Sequence, residues 1–144
     1  MAAINPYLLF NGACEAAFDF YKSVFGGEFD SLSRYSEMPS EESIPDSERN
    51  KIMHMSFPIG KDVLLMGADT SEYYDQVVKF GDNISLCIFP ESEEEAGRIF
   101  NALSESGTVV MPLEKTFWGA LFGNFVDKFG VCWMVNYCYP QNDE

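Results

Sequence analysis

The chain repeats itself. Glu15-Ala16-Ala17-Phe18-Asp19-Phe20 returns eighty residues later as Glu95-Ala96-Gly97-Arg98-Ile99-Phe100, and Gly27 is matched by Gly107 at the same offset. Each copy follows a short apolar strand, Tyr7 to Phe10 in one case and Ile84 to Phe89 in the other. A duplicated strand–helix–strands unit predicts two like modules enclosing a pseudo-symmetric cleft, and the residues lining that cleft decide the chemistry.

The 144 residues form one domain over 1–144 in this reading, with module one at about 1–68, a linker at 69–81 and module two at about 82–140. A hydrophobic content of 47% with 15% aromatic residues excludes disorder. No apolar run approaches the ~20 residues of a membrane span. A net charge of −14 repels nucleic acid and anionic lipid, whose binding depends on Lys and Arg, and keeps the chain soluble. The start Met-Ala-Ala-Ile-Asn-Pro lacks the basic and apolar stretches of a signal peptide, which predicts the cytoplasm. Cys14, Cys87, Cys132 and Cys138 form no Cys-x-x-Cys pair and sit in or beside apolar segments. They are expected as buried, free thiols in a reducing compartment.

Ile4 to Phe10 reads as the first strand, and Asn11-Gly12 as a turn. Cys14 to Phe25 is a helix with Ala17, Phe20, Tyr21 and Val24 as its apolar stripe, ended by Gly26-Gly27. Glu28 to Tyr35 is the second strand, and the acidic stretch Ser36 to Asn50, with Pro39 and Pro45, is a long loop. Ile52 to Pro58 and Asp62 to Ala68 form a hairpin through Gly60-Lys61. A segment with Tyr73, Tyr74, Val77 and Val78 links the halves through a short helical turn.

In the second copy, Asn83, Ser85 and Cys87 alternate with Ile84, Leu86 and Ile88. Ser92 and Glu95 make a capping box for a helix running to about Glu105. Thr108 to Leu113, Gly119 to Val126 and Val131 to Tyr137 complete the strands, with Asp127-Lys128-Phe129-Gly130 as a turn held by an Asx-type bond and a polar, frayed tail from Pro140. The fold class is α+β, two pseudo-symmetric βαβββ modules. One helix covers one face of each four-stranded sheet, so the other face needs the second module, a second chain or a ligand.

The run from Tyr7 to Gly27 closely resembles the opening of PhnB-like proteins, of the glyoxalase/bleomycin-resistance/extradiol-dioxygenase group (the vicinal oxygen chelate superfamily). Lys51-Ile52-Met53-His54, Thr116-Phe117-Trp118-Gly119, Asp127-Lys128-Phe129-Gly130 and Trp133-Met134-Val135-Asn136 extend the likeness over nearly the whole chain. Members are sometimes labelled as ubiquinone-pathway demethylase or methyltransferase domains. No Gly-rich strand–helix turn suited to a nucleotide-like cofactor supports that chemistry here.

The resemblance implies a divalent metal held by strands of both modules. Carried over by position, its ligands fall at Asn5, at Leu65 or Met66, at Asn83 and at Met134. Asn is a weak donor, and Leu and Met cannot replace a carboxylate for a hard cation. The expectation is therefore no metal and no other cofactor.

His54 is the only histidine, with Ile52 and Ser56 on its face of the strand by simple alternation. His54, Trp118, Phe122, Asn83, Asn136 and Tyr35 are the candidate ligand-binding residues, and no catalytic residue is assigned. The resulting reading is a homodimer that binds a small molecule without the usual divalent ion. The alternative is a metal-dependent lyase, isomerase or dioxygenase with an atypical site including His54 and Glu114. A third is a structural dimer with a vestigial cleft.

Overall fold

The computed structural model describes residues 2–37, 44–71 and 76–140. They fall into two compact units, Met1–Lys79 and Phe80–Glu144. In the first, β1 (Tyr7–Phe10), α1 (Cys14–Phe25), β2 (Ser31–Arg34), α2 (Asp46–Arg49), β3 (Ile52–Ile59) and β4 (Val63–Asp69) follow one another. In the second come β5 (Leu86–Ile88), α3 (Glu93–Ser104), β6 (Thr108–Lys115), β7 (Ala120–Val126) and β8 (Cys132–Cys138). The sheets have the same plan, β1-β4-β3-β2 and β5-β8-β7-β6. The first strand of each runs parallel to the last, and the other pairs are antiparallel. This is the expected α+β repeat, with α2 as a one-turn addition where the acidic loop was expected. Among the described residues no helix is long and apolar enough to cross a membrane.

The strands are shorter at their entries than the apolar runs alone indicate. Pro6 has no N–H to donate, so β1 begins at Tyr7 although the Pro6 carbonyl already accepts from Met66 N–H at 3.0 Å. Ile84 lies outside β5 and is 76% exposed. The Gly60-Lys61 hairpin forms, with Gly60 at φ 60° and Asp62 at φ 63°. A 3-10 turn at Tyr35–Glu37 follows β2. Residues 38–43 of the acidic loop, with Pro39, as well as Tyr73, Tyr74 and the tail beyond Pro140 lie outside the described residues, and residues 76–81 are not helical.

Each of the long helices α1 and α3 presses one phenylalanine onto a glycine of its sheet. A Cβ at Gly67 would stand 2.7 Å from Phe18 Cε1, and one at Gly123 would stand 2.7 Å from Phe100 Cε2. Neither glycine is replaceable without moving a ring. On α1 the buried stripe is Cys14, Ala17, Phe18, Tyr21 and Val24, so Phe18 takes the core place expected for Phe20. Phe18 and Tyr21 are fully buried, each such aromatic contributing roughly 1.5–3 kcal/mol by leaving water.

The two long helices, α1 and α3, are capped differently. Ser92 Oγ accepts from Glu95 N–H at 3.0 Å, and the Glu95 carboxylate accepts from Glu91 N–H at 3.2 Å, a box displaced by one residue from the usual form. Ala13 gives α1 no such group. Instead Asp69, at the end of β4 and 2% exposed, accepts from Gly12 and Cys14 N–H through Oδ1 and from Ile52 N–H through Oδ2, all at 2.9 Å. One buried carboxylate thus joins the helix start to β3 and β4. Asp69→Ala strands three buried or part-buried donors. It is expected to lower unfolding stability by about 3 kcal/mol or more in urea titrations.

Arg34 holds Glu15 by two bonds, Nη1 to Oε1 at 3.1 Å and Nη2 to Oε2 at 2.6 Å, and donates to the Asn50 carbonyl at 2.8 Å. The hydrogen-bonded guanidinium lowers the Glu15 carboxyl from its ordinary 4.5. A carboxylate lowered in the folded state stabilises fully above its unfolded pKa and loses that contribution as pH falls through the folded one. Arg34→Met is therefore less stable than wild type at pH 7. The pH-dependent part of the gap, under about 1 kcal/mol for so exposed a pair, closes in thermal melts as pH falls below Glu15's lowered value.

Candidate functional site

In each unit one sheet face carries the helix, and the strand registers define the other. In the first unit, Leu8, Gly67, Met55 and Leu32 form the row under α1, where Gly67 meets Phe18. The adjacent row, Tyr7, Met66, Ser56 and Ser31, therefore looks the opposite way. His54, two residues from Ser56, shares that open face. Its Nδ1 lies 3.1 Å from the Tyr7 hydroxyl, and the rings are 5.7 Å apart. Partial burial, with a smaller effect of Cys14, pushes the Tyr7 phenol above its ordinary value. Tyr7 is thus protonated at neutral pH, and where its hydroxyl donates, Nδ1 of His54 accepts and the ring proton stands on Nε2. Ser31 and Ser56 hydroxyls meet at 2.7 Å nearby.

Ile52 does not share the face of His54. Ser33 pairs with His54 but Arg34 pairs with Ile52, so β3 bulges by one residue at Met53. The bulge reverses the alternation, and Ile52 is fully buried with Met55 and Phe57.

In the second unit, Gly123 under Phe100 marks the helix side, together with Val135, Phe125 and Trp133. The open face carries two rows. Cys87, Met134, Asn124 and Met111 form one; Asn136, Phe122 and Glu114 form the next. Asn136 and Phe122 are direct cross-strand partners. The ring of Trp118 lies 6.4 Å from that of Phe122 and edge-on to Phe117 at 4.9 Å. Trp118 and Phe117 are 59% and 97% exposed. Cys138 Sγ approaches Asn136 Oδ1 at 3.8 Å.

This unit brings three of the expected site residues, Trp118, Phe122 and Asn136, into one neighbourhood. Asn83 is exposed ahead of β5, and His54 stands in the other unit. Tyr35 is engaged within its own unit, its hydroxyl donating to the Asp69 carbonyl at 2.7 Å. The expectation of four buried thiols is corrected. All four are free, but only Cys14 is buried, while Cys87 and Cys138 are exposed because strand alternation turns them to the open face. Asp127 does hold its turn, Oδ1 accepting from Phe129 N–H at 2.8 Å and Val131 N–H at 3.1 Å. Its Oδ2 accepts from Trp133 Nε1–H at 2.8 Å. Sequence reasoning missed Tyr7 and Asn124; the available signal for Asn124 was a lone amide inside the apolar strand Ala120–Val126.

The positions where the resemblance would place a metal do not fit one. Asn5 Oδ1 accepts from Leu64 N–H at 3.0 Å. Leu65 is core, Met66 and Met134 are thioethers on open faces, and Asn83 is a neutral amide. Among the described residues no three His, Cys, Asp or Glu side chains gather as a metal-binding group. The donor set is too poor in charge for a hard divalent cation.

The family model described as 3-demethylubiquinone-9 3-methyltransferase matches residues 2–136. The chain belongs to this family. Protein YjdN of Escherichia coli K12 is 31% identical over 149 residues, 96% of this chain and 97% of its own length. The crystal structure of protein PA1353 from Pseudomonas aeruginosa is 38% identical with a TM-score of 0.85, covering 96% of this chain and 98% of that one. A PhnB protein from Bacillus cereus is 30% identical with a TM-score of 0.77, covering 95% and 100%. The fold extends to a glyoxalase-related enzyme from Fulvimarina pelagi, 16% identical with a TM-score of 0.60 over 99% of this chain and 94% of that one. The family membership is thus PhnB-like, within the glyoxalase/bleomycin-resistance fold group.

Tyr7→Phe removes the hydroxyl that fixes the imidazole. Nitrogen–proton NMR of the single histidine is expected to show mainly the Nε2–H tautomer in wild type and a mixed population in Tyr7→Phe. An unchanged ratio would mean that the hydroxyl does not orient His54.

Proposed function

We propose that this PhnB-like chain is a homodimeric small-molecule-binding protein that works without the divalent ion common in its superfamily. The observation that carries the reading is the open face of the second sheet. There Phe122 and Asn136 stand side by side among Met134, Met111 and Asn124, with the exposed Trp118 ring beside them. Apolar walls with a few convergent polar groups are the usual lining of a ligand site. The methyl transfer in the family's description finds no support in the strand–helix turns. Asn11-Gly12-Ala13 holds one glycine and Pro90-Glu91-Ser92 holds none, so neither is a Gly-rich turn suited to a nucleotide-like cofactor.

Pairing with a second copy accounts for large apolar groups left in water, including Phe117, Ile84 at 76%, Phe89 at 66% and Val110 at 63% exposure. Four free cysteines accord with a reducing cytoplasm as its location.

Titration calorimetry with Zn²⁺, Ni²⁺, Mn²⁺ and Fe²⁺ is expected to give no stoichiometric submicromolar binding. A thermal-shift screen of small molecules is expected to find ligands whose stabilisation, about 2.7 kcal/mol at 100 times Kd, is lost in Asn136→Ala with Phe122→Ala. A tight metal site lost on His54→Ala would replace this reading with the metalloenzyme one. Sedimentation should give a dimer.

A further inference from the structure

We propose that Asn124 anchors a site for a flat heterocycle bearing a hydrogen-bond donor and an acceptor on adjacent atoms, as on a lactam or an aminopyrimidine edge. The inference deepens the small-molecule reading and rests on it. Asn124 is the one polar residue of β7, whose other members are Ala120, Leu121, Phe122, Gly123, Phe125 and Val126. Its Oδ1 is closed off from water, yet no donor reaches it among the described residues. Buried acceptors without partners are unfavourable, and folded proteins keep few of them without a use.

A second feature converges on the same point. The edge strand β6 departs from regular pairing twice, between Val109 and Met111 and again between Met111 and Glu114. Met111, the residue between the two irregularities, is the partner of Asn124. Bulges gather at sheet edges beside functional sites, where they re-aim side chains.

The surroundings define the ligand. A primary amide offers one acceptor and one donor along a single edge, the pattern with which Asn grips the edge of adenine. Met134 and Met111 flank Asn124 on either side across the sheet, and Phe122 lies two residues along the same face. Thioethers are flexible and polarisable, so on either side of the amide they can adapt to the faces of a bound ring. The neighbouring polar groups are the Asn136 amide and the Glu114 carboxylate, with no cation in either row. Such a lining favours a neutral ring over an anion.

Calorimetry with adenine, hypoxanthine and uracil, and with their fully N-methylated counterparts, tests the assignment on the full chain. At least one parent ring is expected to bind wild type, and its methylated form at least about tenfold more weakly. Asn124→Leu is expected to weaken binding about tenfold to a hundredfold. In the absence of probe it should melt above wild type, because the unpaired acceptor is gone. Asn124→Asp, which keeps the shape but replaces the amide donor by an acceptor, should lose binding similarly and serves if Asn124→Leu does not fold. A melting point below wild type in a folded Asn124→Leu, equal binding by either variant, or no binding of any parent ring overturns the proposal. If these rings fail while other molecules in the thermal-shift screen bind, only the Asn124 assignment falls. If nothing binds in either experiment, the small-molecule reading falls with it.

Discussion

The first unit depends on the buried carboxylate of Asp69. Helix α1 begins without a side-chain cap of its own, and its first N–H groups would be orphaned beside the sheet. Asp69 reaches them from the end of β4, while its second oxygen takes the first N–H of β3. The Tyr35 hydroxyl closes on the same residue's carbonyl. Strand, helix start and the turn after β2 are therefore tied at one point. Tyr7 and His54, on β1 and β3 either side of β4, stand at hydrogen-bonding distance in the same sheet.

The second unit reaches the same architecture by other means. Ser92 caps α3 locally, and Asp127 serves the last turn and the Trp133 indole instead of a helix start. Both units keep a glycine in the sheet beneath a helical phenylalanine, Gly67 under Phe18 and Gly123 under Phe100. The repeat thus preserves helix-on-sheet packing while the polar ties have diverged. Divergence is greatest on the open faces: Tyr7, His54 and a serine pair on one, amides, thioethers and a ring on the other.

Much of the fold was legible because it rests on local patterns. The helix Cys14–Phe25 matches its periodicity and its glycine stop, and the Ser92-to-Glu95 spacing marks the start of α3. The site was less legible. Trp118, Phe122 and Asn136 do share a neighbourhood, but Ile52 was set on the wrong face because one bulged residue at Met53 inverts every alternation beyond it. Tyr7 escaped notice since its partner His54 is 47 residues away in the chain. Asn124 looked like any strand amide until it was visible that no donor among the described residues reaches its Oδ1.

By itself the sequence determined the duplication, the α+β class, the family likeness and the neutral chemistry at the usual ligand positions. Those properties reside in residue identity and short-range period. Only the tertiary structure decided which carboxylate caps α1, which ring packs on which glycine, and which amide oxygen is left without a donor among the described residues. Each of these is a pairing between residues far apart in the chain, set by strand register and bulges, and a linear pattern carries no such information.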